Sequence, residues 1–469
     1  MEISNGSGRC RRRFTSILVL FLFTTSITSA TSGVQDQALR DSSKQEDTAQ
    51  PVNLTNFPTP LYSQYVDQTN GVSAATLISE ARQRSKDLLA AQQNVAIIRG
   101  RLVQSGLRPN PTVDTEYATD RLGTGEGEYD FSIAYIQPIE LSGKRGKRIR
   151  VAQLEFDQAE KELAFQERQL ATEIESQYAE ALAATESLRV TEQLIALNQE
   201  TLRVTQVRFS EGDVARLDVN LVCVEVNRLR TQQLQAENRT KAALLQLKTL
   251  SGMNVEESLK LRTDLTSVRL PDTLNLEDLQ TTALHNRADL QAARIGENVA
   301  EARISLAKTE ASPELNLFGR YQQEKSVIDD TPVGRLVDSD KLVAFGASIT
   351  LPIRNRNQGT IAEAVATKVQ TRHRREFLEQ IVKRDVAVAF SKLQMAKDSI
   401  RLYQTEILPR SQENLQIIRT AYDLGDQQLL DVVAEQRRLI EAQQQYIDAL
   451  KEYYLSIIEL ERAVGSRIR

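Results

Sequence analysis

Few side chains in this sequence could perform acid–base or metal chemistry, and those few are far apart. The 469 residues include two histidines, His285 and His373, three methionines, and two cysteines, of which only Cys223 follows the N-terminal region. A transition-metal site needs soft or imidazole ligands gathered together, and a nucleophile needs a base within hydrogen-bond reach. Each histidine stands alone in a helical context, and a free cysteine packs as a small hydrophobe. We therefore expect no enzyme activity, no cofactor, no metal site and a packed Cys223.

More informative polar residues belong to an eight-residue motif that occurs twice. Residues 212–219 and residues 425–432 both read Gly-Asp-x-x-x-Leu-Asp-Val. Glycine suits the left-handed position that ends a helix, and Asp213 or Asp426 could cap the helix that follows. The motif therefore predicts two turns, each joining an outgoing helix to a returning one.

A second carboxylate of each motif, Asp218 or Asp431, falls about one turn into the returning helix. The helix dipole favours a negative charge at this position. This gives both aspartates a purely structural explanation, and any functional role needs further evidence.

The stretches around the two turns are long and nearly free of helix breakers. Between Gly146 and Gly252 the turn glycine is the only glycine or proline. Between Gly359 and Gly465 the second turn glycine is joined only by Pro409, which we expect to kink or loosen its helix. At about 1.5 Å per residue, a helix of some 60 residues reaches roughly 90 Å.

Apolar residues recur every seven positions along these predicted helices, which is typical of a coiled coil. One line consists of Ile174, Ala181, Leu188, Ile195, Leu202 and Phe209, and another of Val432, Leu439, Tyr446, Tyr453 and Leu460. A filamentous coiled coil would show the same period, so the period alone leaves that alternative open.

Two pairs of short alternating segments precede the long helices, each with an apolar, aromatic-rich face and a polar face. The apolar positions are Val113, Thr115 and Tyr117; Tyr129, Phe131, Ile133 and Tyr135; Leu315, Leu317 and Tyr321; and Val343, Phe345, Ala347, Ile349 and Leu351. Such alternation fits a membrane β-barrel, although a soluble hairpin packed on the helices would also alternate. Four strands cannot close a barrel of useful bore, so a barrel would need several copies.

The order of elements occurs twice, and this defines the expected domains. Matching positions include Asp87, Ala91 and Pro111 in the first half and Asp289, Ala293 and Pro313 in the second. We expect a first repeat over residues 71–265 and a second over residues 266–465. Long helices with few bulky side chains also suit a composition of 5% aromatic residues and no tryptophan.

The N-terminal region has the pattern of an exported protein. Four arginines between residues 9 and 13 precede an apolar run from Phe14 to Phe23 and a small-residue site at Ala30, which predicts a signal peptide over residues 1–30. Residues 31–70 are polar and proline-containing, and we expect an extended leader there. The nearly balanced net charge of −4 gives no indication of a nucleic-acid partner.

In this arrangement of signal, strands, long helices and doubled turns, the sequence resembles the TolC family of outer-membrane efflux factors over residues 72–465. The turns carry Arg208-Phe209-x-x-Gly212 in the first half and Tyr422-x-x-Gly425 in the second. The segments 137–146 and 351–359 are most similar to the branch that serves cobalt–zinc–cadmium exporters.

The resemblance implies a fold, a location and partners. The fold would be mainly α with a small β part, in which a homotrimer forms a 12-stranded β-barrel in outer-membrane lipid, continued by a periplasmic α-helical barrel. The protein would conduct substrates passively, with heavy-metal cations expected, alongside a periplasmic adaptor protein and an inner-membrane proton-driven pump of the RND type. A periplasmic coiled-coil adaptor or a structural protein is the alternative interpretation.

The resemblance also implies two kinds of site. The turns would be periplasmic tips where the adaptor docks, formed by Arg208, Phe209, Gly212, Asp213, Tyr422, Gly425 and Asp426. Asp431, and with it Asp218, would face the pore axis as gate residues, since threefold symmetry would make each a ring of three carboxylates. Relatives carry a further acidic residue three positions after the second gate residue, where this chain has Ala434 followed by Glu435.

Overall fold

The computed structural model describes residues 60–120, 127–262, 274–328, 334 and 336–468. The predicted signal peptide, the predicted leader as far as residue 59 and the expected repeat boundary after residue 265 lie outside these residues.

Helices and strands follow one another in the same order in both halves. The helices are α1 (Tyr62–Tyr65), α2 (Ala74–Arg84), α3 (Lys86–Ser105), α4 (Lys144–Glu211), α5 (Arg216–Ser251), α6 (Leu276–Asn286), α7 (Ala288–Glu310), α8 (Gln358–Leu402), α9 (Leu408–Asp423) and α10 (Leu429–Val464), with a π-helical turn at Tyr403–Ile407 between α8 and α9. The strands are β1 (Thr112–Thr119), β2 (Tyr129–Ile139), β3 (Glu314–Ile328) and β4 (Leu336–Thr350). None of the described helices has the length and apolarity that crossing a membrane requires.

The four strands form one antiparallel sheet in the order β1-β2-β3-β4, so the two repeats join edge to edge at β2 and β3. Side chains alternate between the two faces of a strand. The register aligns Tyr117 with Phe131, and Ile133 with Tyr321 and then Val343. The predicted aromatic-rich positions therefore share one face of the sheet.

Helices α4 and α5 form the first long hairpin, and the seven-residue apolar line shows how they pack. Ile174, Ala181 and Leu188 are fully buried, whereas Phe209, one turn before the hairpin turn, is 43% exposed. The seam that holds the hairpin is therefore tight near its middle and opens toward the turn.

The second hairpin consists of α8, the π-helical turn, α9 and α10. Its outgoing arm is interrupted just before Pro409, where the Leu408 N–H bonds to the Tyr403 carbonyl five residues back. Proline has no N–H, and its ring clashes with the carbonyl four residues earlier, so regular α-helical bonding cannot pass this point. The local loosening expected at Pro409 is thus a π-helical turn.

Two buried clusters, together called the waist, lie beside the middle of α4 and of α8 and the ends of α5 and α10, where α2, α6 and residues 60–72 pack. Leu77, Ile174, Leu247 and Leu261 share one buried cluster there, and Leu290, Val382, Val386 and Leu460 share its counterpart in the second repeat. The end of the predicted leader belongs to this waist, since residues Tyr62–Tyr65 are helical and Val66 bridges to Leu261.

Candidate functional site

Both Gly-Asp motifs form the same helix-ending turn. Gly212 has φ 87° and Gly425 has φ 85°, the left-handed conformation that glycine adopts without a steric penalty. The Asp213 N–H donates to the Arg208 carbonyl at 2.9 Å, and the Asp426 N–H donates to the Ala421 carbonyl at 2.9 Å. These six-to-one hydrogen bonds are those of a Schellman motif.

The returning helices begin two residues later than expected, which changes the roles of the aspartates. Their N-caps are Ala215 and Gln428, so the prediction that Asp213 or Asp426 caps the helix is wrong. Asp218 and Asp431 instead accept hydrogen bonds from the N–H groups of the two N-cap residues.

The Asp218 carboxylate accepts the Ala215 N–H at 3.1 Å, and the Asp431 carboxylate accepts the Gln428 N–H at 3.2 Å. Each aspartate therefore satisfies an otherwise unpaired amide at its helix start. Because each bond uses Oδ2, the second carboxylate oxygen remains available to other groups.

A cation–π contact links the two tips. The Arg208 guanidinium lies 5.6 Å from the centre of the Tyr422 ring, within the range of an attractive interaction. A small apolar cluster lies behind this contact, formed by Val222, Val226, Leu415, Leu429, Val432 and Val433. The two tips are therefore joined within one protomer, although Phe209 and Leu424 remain exposed.

A buried ion pair joins the same two hairpins, and sequence reasoning missed it. Glu225 on α5 is 2% exposed, and its Oε2 accepts from Arg437 Nη2 at 2.6 Å and from Arg437 Nε at 2.9 Å. Arg228 lies 3.7 Å from Oε1. Charged residues are common along both helices, so nothing in the sequence marks this glutamate as buried. Glu435, noted beside the missing acidic position, is also buried and pairs with Arg438 at 2.8 Å.

The polar face of the sheet is strongly acidic. The register aligns Asp130, Glu324 and Asp340 in one row across three adjacent strands. Among the described strand residues, this face holds the carboxylates Asp114, Glu116, Asp130, Glu314, Glu324, Asp338 and Asp340, with Arg320 as its guanidinium. Like charges on directly opposite positions are unfavourable, so a cation passing this face would be stabilised.

The residues that first suggested chemistry are scattered. His285, His373 and Cys223 are all exposed, so the prediction that Cys223 packs on a helix face is wrong. Within the described residues no group of three or more His, Cys, Asp or Glu side chains has an arrangement that could hold a metal ion.

A family model described as "Outer membrane efflux protein" matches residues 77–253 and 279–466, one match in each repeat. The chain belongs to this family of outer membrane efflux proteins. The resemblance to the TolC family is confirmed, and the alternative of a periplasmic adaptor or structural protein does not fit.

Relatives of this efflux protein agree over most of its length. It is 23% identical to the cobalt-zinc-cadmium resistance protein CzcC of Cupriavidus metallidurans over 392 residues, covering 83% of this chain and 88% of that protein. It is 24% identical to the outer membrane protein TolC of Vibrio cholerae over 400 residues, covering 84% of this chain and 90% of that protein. A crystal structure of CusC superimposes with a TM-score of 0.70 at 20% identity, covering 87% of this chain and 97% of the other.

Family membership establishes where the protein is located and which partners it works with. The efflux protein resides in the outer membrane with its helical part in the periplasm, and it works as a homotrimer with a periplasmic adaptor and an inner-membrane RND pump. The family is one of transport proteins, and the two turns lie at the end of the long helices remote from the sheet.

Proposed function

We propose that this efflux protein conducts heavy-metal cations passively, without catalysing a reaction. The observation that carries the proposal is the separation of the sheet into an aromatic face and a carboxylate face. A wet channel lined by carboxylates favours cations over anions. The name of the relative CzcC, a cobalt-zinc-cadmium resistance protein, supports divalent metals as the cations.

The sheet of one protomer ends in two unpaired edges, β1 and β4. An exposed strand edge is a template for pairing with another chain. We propose that β1 of each protomer pairs with β4 of its neighbour, which closes three sheets into one of twelve strands. Residues 71–265 and 266–465 would then be two copies of one ancestral unit that alternate around the trimer axis.

The tips are our proposed docking surface for the adaptor. They comprise Arg208, Phe209, Gly212, Asp213, Tyr422, Gly425 and Asp426. Phe209 is 43% exposed and Leu424 is 74% exposed, so the tips offer apolar side chains beside the charged Asp213 and Asp426. A partner helix could bury these apolar groups, which a monomer leaves in water.

At the same end of the helices we place the gate, with Asp431 as its principal residue and Asp218 as a second. Three copies of Asp431 around the axis would form a ring of like charges in a narrow passage, where screening by salt is weak. The hydrogen bond to Gln428 holds each carboxylate at its helix start. Because that bond uses one oxygen, the carboxylate can still face a passing cation.

Replacing Asp431 by Asn tests the gate. Asparagine can still accept the Gln428 N–H, so we expect an intact trimer with reduced cation selectivity and weaker block by cobalt, zinc and cadmium ions in single-channel recordings. Asp426→Asn is the matched control, because Asp426 is also exposed at the tip but precedes the helix. Unchanged selectivity and block in Asp431→Asn would leave Asp431 with only its capping role.

A further inference from the structure

A basic cavity of about 490 Å³ lies at the waist, far along the chain from both tips. It opens between α2, the middle of α4, the junction of α6 with α7, and the end of α10. Six cationic side chains line it: Arg82, Lys161, Arg168, Arg287, Arg462 and Arg467. The acidic residues in its wall are Glu167 and Glu175, so the cavity carries a clear excess of positive charge.

Two of the six cations are already paired. Arg287 is 7% exposed and donates to Asp289 at 2.7 Å and to Asp385 at 3.2 Å, which fixes it as part of the wall. Arg467 lies 3.7 Å from Glu175. Among the described residues, no carboxylate forms an ion pair with Arg82, Lys161, Arg168 or Arg462.

Arg168 is the cation of this cavity with an unused hydrogen-bond donor. Its Nη2 donates to the Glu461 carbonyl in a long hydrogen bond of 3.4 Å. Its Nε is buried and donates to no atom of the described residues. Glu461 adds a buried carboxylate near this position, and its Oε1 accepts the Ile468 N–H at 3.2 Å. Buried polar groups in proteins are almost always hydrogen-bonded, and a charged donor without a partner is especially costly.

We propose that the waist cavity binds a small oxyanion, a carboxylate or a phosphate, held by Arg168 and Arg462. Guanidinium groups bind both kinds of anion with paired, charge-assisted hydrogen bonds. The volume lies within the range of pockets that enclose small ligands. An anion there would connect α4 of the first repeat to α10 of the second, and it would strengthen the waist without entering the cation path.

The site is chemically distinct from the proposed duct. The duct uses carboxylates to attract cations, whereas the cavity uses guanidinium groups to attract anions. Loss of anion binding would therefore leave cation selectivity unchanged, and failure of the metal-transport proposal would not affect the cavity.

Isothermal titration of the detergent-extracted full-length trimer tests the proposal. Inorganic pyrophosphate and citrate would be titrated separately at constant ionic strength, with chloride as the reference anion. We expect saturable binding of at least one of them, and at least tenfold weaker binding in Arg168→Met and in Arg462→Met. Binding of pyrophosphate alone assigns a phosphate site, and binding of citrate alone assigns a carboxylate site.

The matched control is Arg401→Met, which removes a 71% exposed surface arginine of α8 and should bind like the parent protein. Lys161→Met, at an exposed cavity position, provides a second variant if Arg168→Met does not assemble, and it should also bind more weakly. Absence of saturable binding by both anions, or equal affinity in the cavity variants and the control, would overturn the proposal.

Discussion

The two long hairpins end alike but reach their ends differently. Both turns use a left-handed glycine, and both returning helices have 36 residues and an aspartate that accepts the N-cap amide. The first outgoing helix, α4, runs for 68 residues without a break, whereas the second is divided into α8, a π-helical turn and α9. The repeated Gly-Asp motif therefore determines the structure of both turns. Pro409 makes the outgoing arm of the second hairpin differ from α4.

The π-helical turn before Pro409 is the main difference between the outgoing arms of the two hairpins. A π-helical turn interrupts the regular hydrogen-bond ladder, and such turns often occur at functional positions. The side chains of Gln404, Thr405 and Glu406 are exposed there, but the turn is tied to α10, because Tyr403 Oη donates to Gln445 at 3.3 Å and Gln404 Nε2 donates to the Tyr446 hydroxyl at 2.8 Å. The second hairpin therefore has an irregular outgoing arm that is held against α10, whereas α4 is a regular helix throughout.

The largest expected difference between the repeats lies at the glycines that end α5 and α10. A Cβ on Gly252 would lie 2.7 Å from the backbone carbon of Arg84, whereas a Cβ on Gly465 would lie 3.1 Å from the Cα of Arg287. Both glycines have positive φ. We expect Gly252→Ala to lower the free energy of unfolding by about 3 kcal/mol or more and Gly465→Ala by about 1–2 kcal/mol, from left-handed strain plus overpacking.

Denaturant midpoints of the two variants measure this difference. Gly146→Ala is the control, because nothing lies within 4 Å of its added Cβ and alanine favours the helix by about 0.5–1 kcal/mol. Equal losses of unfolding free energy at Gly252 and Gly465 would mean that the ends of α5 and α10 are packed equally tightly.

A smaller and more local effect is expected at the tips. A Cβ on Gly212 or Gly425 meets nothing within 4 Å, so Gly212→Val and Gly425→Val should cost only the strain of a β-branched residue at positive φ, about 1–2 kcal/mol. We expect the trimer to survive in both variants while efflux in cells falls, since the turn must change shape.

Native electrophoresis together with an efflux assay checks this expectation. If the tips dock the adaptor, co-purification of the adaptor should fall in parallel with efflux. Loss of the trimer in either variant would assign these glycines a structural role only.

The sequence predicted most of the fold because its signals are local and repeated. The absence of glycine and proline from the long helices, the seven-residue period and the strand alternation each depend on residues close together in the sequence. Each of these signals also occurs in both repeats. Capping was mispredicted because the sequence allows Asp213 or Asp218 to serve the same amides, and only the backbone path selects one. Glu225 with Arg437, and Arg168 in its cavity, were missed because they depend on how distant helices meet.

The effect expected to be smallest at neutral pH is that of titration, which should act on the two buried clusters of the waist at opposite ends of the pH scale. In the first repeat, the carbonyls of Arg262 at 2.7 Å and Val72 at 3.0 Å share the single O–H hydrogen of Tyr178, and burial raises the pKa of Tyr178 to about 12. Its contribution is therefore complete below pH 10 and is lost as the pH rises toward 12, by up to roughly 2 kcal/mol.

In the second repeat the titrating group is the carboxylate of Asp385 on α8. Burial tends to raise the pKa of Asp385, but hydrogen bonds from Arg384 and Arg287 outweigh it and lower that pKa. Its contribution is complete above about pH 4 and is lost as the pH falls through the lowered value. Tyr178→Phe should therefore flatten only the alkaline limb of a plot of denaturant midpoint against pH, and Asp385→Asn only the acid limb. If either variant also altered the opposite limb, its effect would come from a change in structure and not from the lost titration of Tyr178 or Asp385, and the contrast between the repeats would not extend to their stability.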